Sequence, residues 1–291
     1  MVYVVPLRYD TAFKKAFSQV EVFCQFVHDV LGIDIQIDKV HRAHRYLKEV
    51  SQVDIEYDLF AEDEDARILV EIQHVKERDV FDRFLYYHLI GIVEQVKSSR
   101  NYHIDKTVYT IVVMTSSSLE KGIDCSVLMG DFSFVNEFRQ KVALYSHQLV
   151  FLVPRLVNNE TPSGIKAWLE LISDSLDDAV DETRYPSPIF QLVIDAIQMD
   201  NLSPVERRLL KDEVVWEETL KADYEKGRQE GLREGRMEGR EEGREEGHEE
   251  GRHQEKEQIA LSMLREGLDI DLVVRITGLD RQTLDKLKLN E

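Results

Sequence analysis

The sequence predicts an α/β protein, with a mixed central sheet flanked by helices and an all-α C-terminal half. Two stretches predict the sheet. Residues 57–73 read YDLFAEDEDARILVEIQ, in which apolar and acidic residues alternate, and residues 108–114 read VYTIVVM, which suits a central strand buried on both faces. The C-terminal half is set apart by a charged segment with a glycine at every fourth position, which forms either a long helix or an arm.

These patterns divide the 291-residue chain into four segments. Residues 1–155 carry the order helix, strands, helix, strand, and residues 156–225 show helical periodicity with prolines near the expected helix starts. Residues 226–257 form the repeat of glycine, glutamate and arginine. Residues 258–291 regain an apolar periodicity that predicts a small helical module.

Composition and charge limit the kinds of partner. With 43% hydrophobic residues the chain can bury a core, while its formal charge of −19 argues against a general binder of polyanions, because phosphate contacts rest on Lys and Arg. DNA would then be held by a local basic patch or through a metal. Cys24 and Cys125 stand far apart without a CxxC motif, which indicates neither a zinc site nor a disulfide framework and suits a reducing compartment.

The distribution of apolar residues along the chain indicates where in the cell to expect the protein. No apolar run approaches the roughly 20 residues of a membrane-spanning helix, and the N-terminal residues lack a basic-then-apolar signal pattern. We therefore expect a cytoplasmic protein with no membrane partner. The glycine repeat follows no strand and includes no GK[ST] motif, so we expect no nucleotide cofactor.

The first helix is expected to begin at Asp10, as its N-cap, and to end before Gly32. Lys14 lies one turn after Asp10, and the pair is either a cap with an ion pair or part of a functional site beside the helix. The β-rich segment 35–46 follows, and its cations either contact phosphate or decorate a solvated strand face. These cations are His41, Arg42, His44 and Arg45.

The central hairpin is predicted to bring carboxylates together. A period of two places Asp54, Glu56 and Asp58 on one face of the first strand, and it places Glu71 and Gln73 on one face of the second. Acidic side chains thus recur on strands that are otherwise rich in Val, Ile and Leu.

If the hairpin closes symmetrically around Glu64 and Asp65, Asp58 falls opposite Glu71, with Cβ atoms roughly 5 Å apart. Carboxylates that close repel each other unless they share a proton or a cation. Oxygen ligands without His or Cys at ligand spacing favour a hard ion. The residues therefore predict Mg²⁺, or Mn²⁺, bound by Asp58 and Glu71.

A second helix, from about 77 to 99, is expected to cover the sheet, because its apolar residues recur at spacings of three and four. On a neighbouring face Arg83 is a candidate to steer a phosphate. Tyr87, one turn later, is a candidate substrate contact, with simple packing as the alternative. Strands expected at 106–115 and 142–154 complete the sheet.

In this order, the segments resemble the PD-(D/E)xK nuclease core and, within it, the Rpn-type recombination-promoting nucleases, a family of transposases. The resemblance rests on DTAFKKAF at 10–17, YDLFAEDEDARILVEIQ at 57–73, RFLYYH at 83–88 and VYTIVV from 108 onward. It implies a restriction-endonuclease-like core in residues 1–155. It also implies a Mg²⁺-dependent endodeoxyribonuclease that hydrolyses phosphodiester bonds of DNA in recombination or transposition.

The same resemblance implies roles for individual residues. Asp58 and Glu71 would be catalytic metal ligands, Gln73 would stand at the position of the catalytic lysine, and Asp10 with Lys14 would lie beside the metal as substrate-binding residues. The chain departs from the motif at two points: no proline precedes Asp58, and position 73 is not lysine. A glutamine amide can orient a water by hydrogen bonding but cannot deprotonate it.

Two functions stay open at this point, and a third, a sequence-specific DNA-binding regulator that acts through the C-terminal helices, has the least support. In the first, the core cuts DNA, and either the metal alone activates the water or Lys14 or Lys76 reaches the site. In the second, the chain is a catalytically weak or inactive nuclease-like scaffold whose helical tail mediates assembly, which the acidic charge and Gln73 also fit. DNA is the expected partner, and a homodimer or higher homo-oligomer would provide two sites for cutting both strands.

In residues 226–257 the spacing of the charged residues favours a helix, whereas the glycines oppose one. Each glycine costs about 1 kcal/mol against alanine, whereas each i,i+3 ion pair adds roughly 0.2–0.5 kcal/mol, so an isolated helix should be marginal. The glycines form either a stripe for close approach of a partner helix or part of a charged, solvated arm, and the second is favoured.

The last module, residues 258–291, is expected to form three short helices. Gly267 and Gly278 stop the first two, and Asp269 and Asp280 can cap the ones that follow. Such a unit is either a helix-turn-helix DNA reader or a small docking or dimerising bundle.

Overall fold

The structure, a computed structural model, describes residues 1–45, 55–74, 79–96, 102–116, 123–142 and 144–289. The chain divides into two compact units, Met1–Val215 and Trp216–Glu291. Asp54 and Lys76, both singled out in the sequence, lie outside the described residues.

The described residues form eight α-helices and ten strands. The helices are α1 (Asp10–Phe17), α2 (Val20–Leu31), α3 (Val80–Val93), α4 (Ser163–Ser175), α5 (Pro188–Ile197), α6 (Pro204–Arg265), α7 (Ile270–Thr277) and α8 (Arg281–Leu289). The strands are β1 (Val2–Tyr3), β2 (His41–Arg45), β3 (Glu56–Glu62), β4 (Ala66–Gln73), β5 (Thr107–Met114), β6 (Val127–Asp131), β7 (Phe134–Val135), β8 (Lys141–Val142), β9 (Gln148–Leu152) and β10 (Ala179–Val180).

A mixed six-stranded sheet forms the centre of the first unit, in the order β2-β3-β4-β5-β9-β6. β5 pairs in parallel with β4 and β9, and the other pairs are antiparallel. β5 lies inside the sheet, as its apolar faces predict. The edge strand β6 was not predicted, because its sequence VLMGD is largely exposed and shows no alternation of apolar and polar residues.

Helices cover both faces of this sheet. On one face α1, α2, α4 and α5 share a core with Leu59 and Val70, and the rings of Phe17 and Trp168 lie 5.7 Å apart within it. On the other face α3 packs over Leu69 and its neighbours. The predicted fold class, an α/β core with a mixed sheet and a helical C-terminal half, is confirmed.

The N-terminal region holds two helices where the sequence predicted one. Ser18 ends α1, and Gln19 adopts an extended conformation (φ −69°, ψ 124°) that turns the chain into α2. Tyr9, not Asp10, occupies the N-cap of α1, so Asp10 is the first helical residue. Gly32 ends α2 in the left-handed conformation (φ 70°), as predicted.

Three predicted elements are shorter in the structure than in the sequence pattern. Among the described residues of 35–46, only the five of β2 join the central sheet, and among those of 142–154 only the five of β9 do. The helix expected over 77–99 is seen as α3, Val80–Val93. Residues 75–78 and 97–101, on either side of it, lie outside the described residues.

The glycine repeat is helical. α6 runs for 62 residues, from Pro204 to Arg265, through the whole repeat. At each of its seven glycines, from Gly227 to Gly251, no other side chain or distant backbone atom lies within 4 Å of the position that a Cβ would take. Of the two alternatives for this segment, a long helix or an arm, the helix is therefore confirmed.

The sequence predicted three short helices after residue 258, but the first of them is the end of the long helix α6, and only α7 and α8 are short. The predicted stops and caps are confirmed. Gly267 and Gly278 adopt left-handed conformations (φ 84° and 69°). Asp269 accepts the N–H of Asp271 at 3.0 Å, and Asp280 accepts an N–H from the first turn of α8 at 2.8 Å. These helices enclose a small apolar core of their own, formed by Ala260, Val273, Leu279 and Leu284.

Candidate active site

Asp58 and Glu71 meet at one end of the β3–β4 hairpin. The backbone register pairs Leu59 with Val70, and its continuation places Asp58 opposite Glu71, as the symmetric hairpin predicts. The Asp58 N–H donates to Glu71 Oε1 at 3.2 Å, and Asp58 Oδ2 accepts the N–H of Ile72 at 2.9 Å. Each carboxylate therefore accepts a backbone donor of the opposite strand just beyond the regular ladder.

Glu71 is buried, with 5% of its surface exposed. Burial and then the charge of Asp58 raise the pKa of Glu71 well above its ordinary value, although the Asp58 N–H bond opposes the rise. Two carboxylates held this close, one of them out of water, favour a shared proton or a cation.

Lys14 of α1 supplies a positive charge to the pair. Its Nζ lies 3.0 Å from Asp58 Oδ1 and 2.8 Å from Asp10 Oδ2. Burial disfavours the Lys14 ammonium, but the carboxylates of Asp58 and Asp10 outweigh burial and raise its pKa to about 12. The Lys14 side chain is thus a permanent cation at neutral pH.

Asp10 lies on the far side of Lys14 from Asp58, because Lys14 forms an ion pair with each of the two carboxylates. Burial, and then the charge of Asp58, raise the pKa of Asp10 to about 7 despite the bond to Lys14. Its Oδ1 is buried and accepts no hydrogen bond from any described residue. An acceptor in that state is suited to a proton, a water or a cation.

The strand changes face around Asp58. The Tyr57 hydroxyl donates to the Tyr87 carbonyl at 2.6 Å, on the α3 side, whereas Leu59 lies in the core on the opposite side. Strict alternation would place Tyr57 and Leu59 on one face, so the simple period-two prediction is wrong here. The change of face directs Asp58 towards α1 and its lysine.

Gln73 lies on β4, two residues beyond Glu71, and is 6% exposed. Arg83 of α3 donates from Nη2 to Gln73 Oε1, and its guanidinium lies 4.6 Å from the Phe84 ring. The arginine predicted to steer a phosphate is therefore also the partner of the glutamine that replaces the motif lysine.

A family comparison bears on these residues. The profile of the family described as "PD-(D/E)XK nuclease family transposase" matches residues 7–224, which include the hairpin, α1 and α3. The chain belongs to this family. Residues 253–289 match the domain described as "Rpn/YhgA-like nuclease family, C-terminal HTH domain", so the resemblance seen in the sequence is confirmed at both ends. Comparisons with curated proteins and with solved structures gave no match.

In this PD-(D/E)XK family member, the donor set fits a hard divalent ion. Asp58 and Glu71 present carboxylates from adjacent strands, and hard ions prefer such oxygen ligands. Within the described ranges, no group of three His, Cys, Asp or Glu side chains is arranged to hold a metal. An ion at this place would rest on Asp58 and Glu71, with water or phosphate oxygens as its remaining ligands.

The structure does not bring Tyr87 to the carboxylate pair. Its ring packs edge-on against Tyr57 at 5.7 Å and against Phe84 at 5.9 Å. Four of the other six candidate site residues are linked by direct contacts: Asp10 with Lys14, Lys14 with Asp58, and Asp58 with Glu71. Gln73 and Arg83 form a separate contact, and Arg83 acts on Glu71 through its charge.

Sequence reasoning missed the contact that anchors α1 in the nuclease unit. Glu213 Oε1, near the start of α6, accepts the Thr11 N–H at 3.0 Å and also the Thr11 hydroxyl. Lys15 adds an ion pair with Glu206 at 3.1 Å. Glu213 therefore satisfies one backbone donor in the first turn of α1, next to Asp10, from a position 202 residues away, where no local pattern could indicate it.

The described part of the chain contains no helix with the length and apolar character needed to cross a membrane.

Proposed function

We propose that this family member is a Mg²⁺- or Mn²⁺-dependent endonuclease that hydrolyses phosphodiester bonds of DNA in recombination or transposition. One arrangement supports this function most strongly. Asp58 and Glu71 each accept a backbone N–H from the other's strand, beside an ammonium 3.0 Å away. A carboxylate pair with one buried member and one fixed cation is typical of a site that handles charge in a reaction, rather than one that serves stability alone.

Asp58 and Glu71 would hold the ion. When bound there, it would polarise the scissile phosphate and lower the pKa of the attacking water. Because burial and Asp58 already hold the pKa of Glu71 high, two separate negative charges are disfavoured and a divalent cation is favoured.

Lys14 would act as a fixed charge. A pKa of about 12 leaves no free amine at neutral pH, so Lys14 does not accept the proton of the water. A permanent ammonium beside the ligand pair would instead stabilise negative charge that develops on the phosphate.

Gln73 would orient rather than deprotonate. Arg83 binds its Oε1 and so fixes the plane of the amide. An amide can hold a water by hydrogen bonding but cannot remove its proton. The acidity of the attacking water then depends on the ion, which makes this site more dependent on the metal than a core with the motif lysine.

The C-terminal match supports DNA as the partner. Helix-turn-helix domains place their second helix in the major groove. α7 and α8 lie within the matched residues and are separated by the turn at Gly278. This favours the DNA reader over the docking bundle, and it would bring the nuclease unit to its substrate.

The test is incubation of the full chain with supercoiled plasmid and with circular single-stranded DNA, in Mg²⁺, in Mn²⁺ or in EDTA. We expect nicked or linear products with either metal and none in EDTA. If neither substrate is cut in any condition, the proposal fails and the nuclease-like scaffold, with its tail serving assembly, becomes the better account.

A further inference from the structure

The edge strand β2 carries a local excess of positive charge. Residues 39–45 read KVHRAHR in a chain whose formal charge is −19. β2 lies at one edge of the six-stranded sheet, and Lys39, His41, Arg42 and Arg45 are exposed. Its outer side is therefore a basic rim on an acidic protein.

Arg42 is held by a neutral partner. Its Nε and Nη2 donate to Ser18 Oγ at 2.8 and 2.5 Å, and it forms no ion pair among the described residues. Arg67, elsewhere on the sheet, instead pairs with Glu62 at 3.1 Å and with Glu94 at 2.5 Å. A hydroxyl fixes the orientation of the Arg42 guanidinium but leaves its charge uncancelled, which suits an external anion.

The other members of β2 contribute less charge. Arg45 pairs with Glu56 across the strands. The His44 ring stacks on Phe60 with centroids 4.0 Å apart, and burial lowers the pKa of His44. The positive charge of this edge at neutral pH therefore centres on Arg42, with Lys39 and the exposed Arg45 beside it.

Arg42 lies next to the carboxylate site. β2 pairs Arg42 with Leu59 and His44 with Tyr57, so the two pairs bracket Asp58. Ser18, which holds Arg42, donates its N–H to the Lys14 carbonyl at 3.1 Å. Arg42 and Lys14 are thus linked across one turn of α1, a rise of about 6 Å.

We propose that the β2 edge binds the phosphate backbone of the nucleic acid, with Arg42 contacting a phosphate one or two nucleotides from the one at Asp58 and Glu71. Two nucleotides of a strand that rises about 3.4 Å per nucleotide span about 7 Å, close to the one-turn rise from Lys14 to Ser18, the residue that holds Arg42. The contact is sequence-independent, since it reaches only phosphate. This inference rests on the proposed function, because it takes the substrate of that same site to be a nucleic acid.

The test measures binding rather than cleavage. The full chain is titrated, in EDTA, against a fluorescently labelled 30-nucleotide single strand and its duplex at several salt concentrations. Arg42→Gln is compared with Arg42→Lys, which keeps the charge, and with Arg139→Gln. Arg139 is exposed and lies between β7 and β8, which form a separate two-stranded sheet, so it controls for the loss of one positive charge.

We expect Arg42→Gln to reduce the slope of log K against log salt by about 0.7 for the single strand or about 0.9 for the duplex. At about 0.1 M salt this corresponds to roughly 5- to 8-fold weaker binding. Arg42→Lys should keep most of the wild-type slope, and Arg139→Gln should match wild type. Arg45→Gln gives a second, smaller loss that does not depend on the Ser18 contact.

The proposal is overturned if Arg42→Gln and Arg45→Gln bind with the wild-type slope, if Arg139→Gln lowers the slope equally, or if wild type binds neither oligonucleotide. These results are separable from those of the cleavage assay. Salt-dependent binding through Arg42 without any cleavage would sustain this inference and defeat the proposed function. Cleavage by wild type, together with an Arg42→Gln variant whose slope of log K against log salt equals that of wild type, would support the proposed function and defeat this inference.

Discussion

Lys14 Nζ lies 3.0 Å from Asp58 Oδ1. The lysine comes from helix α1 and the aspartate from strand β3, so a helix brings an ammonium group to the carboxylate pair. The strand of Glu71, β4, carries glutamine at position 73, where the motif has lysine. The positive charge of the site is therefore supplied from a different element than the motif leads one to expect.

Replacing Lys14 should impair chemistry more than DNA binding. Lys14→Gln removes the ammonium between Asp10 and Asp58, and we expect kcat for plasmid nicking to fall about 10²- to 10³-fold with a smaller change in KM. Lys14→Arg should retain more activity, because it keeps the charge. Lys166→Gln, at a partly exposed lysine of α4 outside the site, is the matched control and should behave as wild type. Wild-type kcat in Lys14→Gln would refute the role given to this lysine.

Restoring the motif lysine at position 73 should not increase activity. Gln73→Lys would place a second cation against the Arg83 guanidinium, which now binds the Gln73 amide oxygen in a buried setting. Like charges held that close destabilise each other. We expect a lower melting temperature and lower activity for Gln73→Lys, and partial recovery of both when Arg83→Gln is added. A single substitution that is as stable as wild type would show that Arg83 moves away at little cost.

The pH dependence of stability should reflect a buried histidine pair. His88 is fully buried, and burial, followed by the neighbouring His147, lowers its pKa from 6.5 to about 4. As pH falls, His88 therefore binds its proton at a higher pH in the unfolded chain than in the folded one, and protonation favours unfolding. The stabilisation is complete above pH 6.5 and is lost between about 6.5 and 4, by at most about 3 kcal/mol. The pKa of His147 is lowered as well, and it acts in the same direction.

Urea denaturation at pH 7.5 and pH 5 measures this loss. His88→Gln, which cannot be protonated, should flatten the dependence of the unfolding free energy on pH. His28→Gln alters a half-exposed ring and should leave that dependence close to that of wild type. Equal pH dependence in wild type and His88→Gln would contradict the assignment.

The glycines of α6 should be replaceable by alanine. No other side chain or distant backbone atom lies within 4 Å of a Cβ added at Gly235 or Gly243, so each alanine should stabilise the helix by about 1 kcal/mol. Slower hydrogen exchange across the repeat would show it. Gly278→Ala should instead destabilise the C-terminal helices, because φ is 69° there. If the alanines in α6 broke an oligomer apart, the glycines would be a surface for close helix approach.

Local patterns were sufficient for much of the fold. The register of the hairpin could be predicted because two apolar runs flank one acidic turn, and the central strand could be predicted from its apolar faces. The stops at Gly32, Gly267 and Gly278 follow from the left-handed conformation that glycine adopts easily. Each of these features depends only on residues that are close together in the sequence, so it could be predicted without knowledge of the folded chain.

Other features depend on distant residues. The break between α1 and α2 was missed because apolar residues of both helices, such as Phe17 and Phe23, face the same core and maintain one apparent periodicity. The Lys14–Asp58 contact joins elements 44 residues apart, and it also needs the change of face next to Asp58. The stability of the helix in the glycine repeat of α6 was underestimated, because the sequence estimate compared only the cost of its glycines with the small gain from its ion pairs.

The most direct test of the central claim compares three single substitutions in the cleavage assay. Asp58→Asn and Glu71→Gln remove the charge of the two proposed ligands, while Glu64→Gln removes one charge from the exposed tip of the same hairpin. We predict that the first two abolish Mg²⁺-dependent nicking and weaken Mn²⁺ binding measured by calorimetry, and that Glu64→Gln keeps both. Nicking at the wild-type rate by Asp58→Asn or Glu71→Gln would contradict the account.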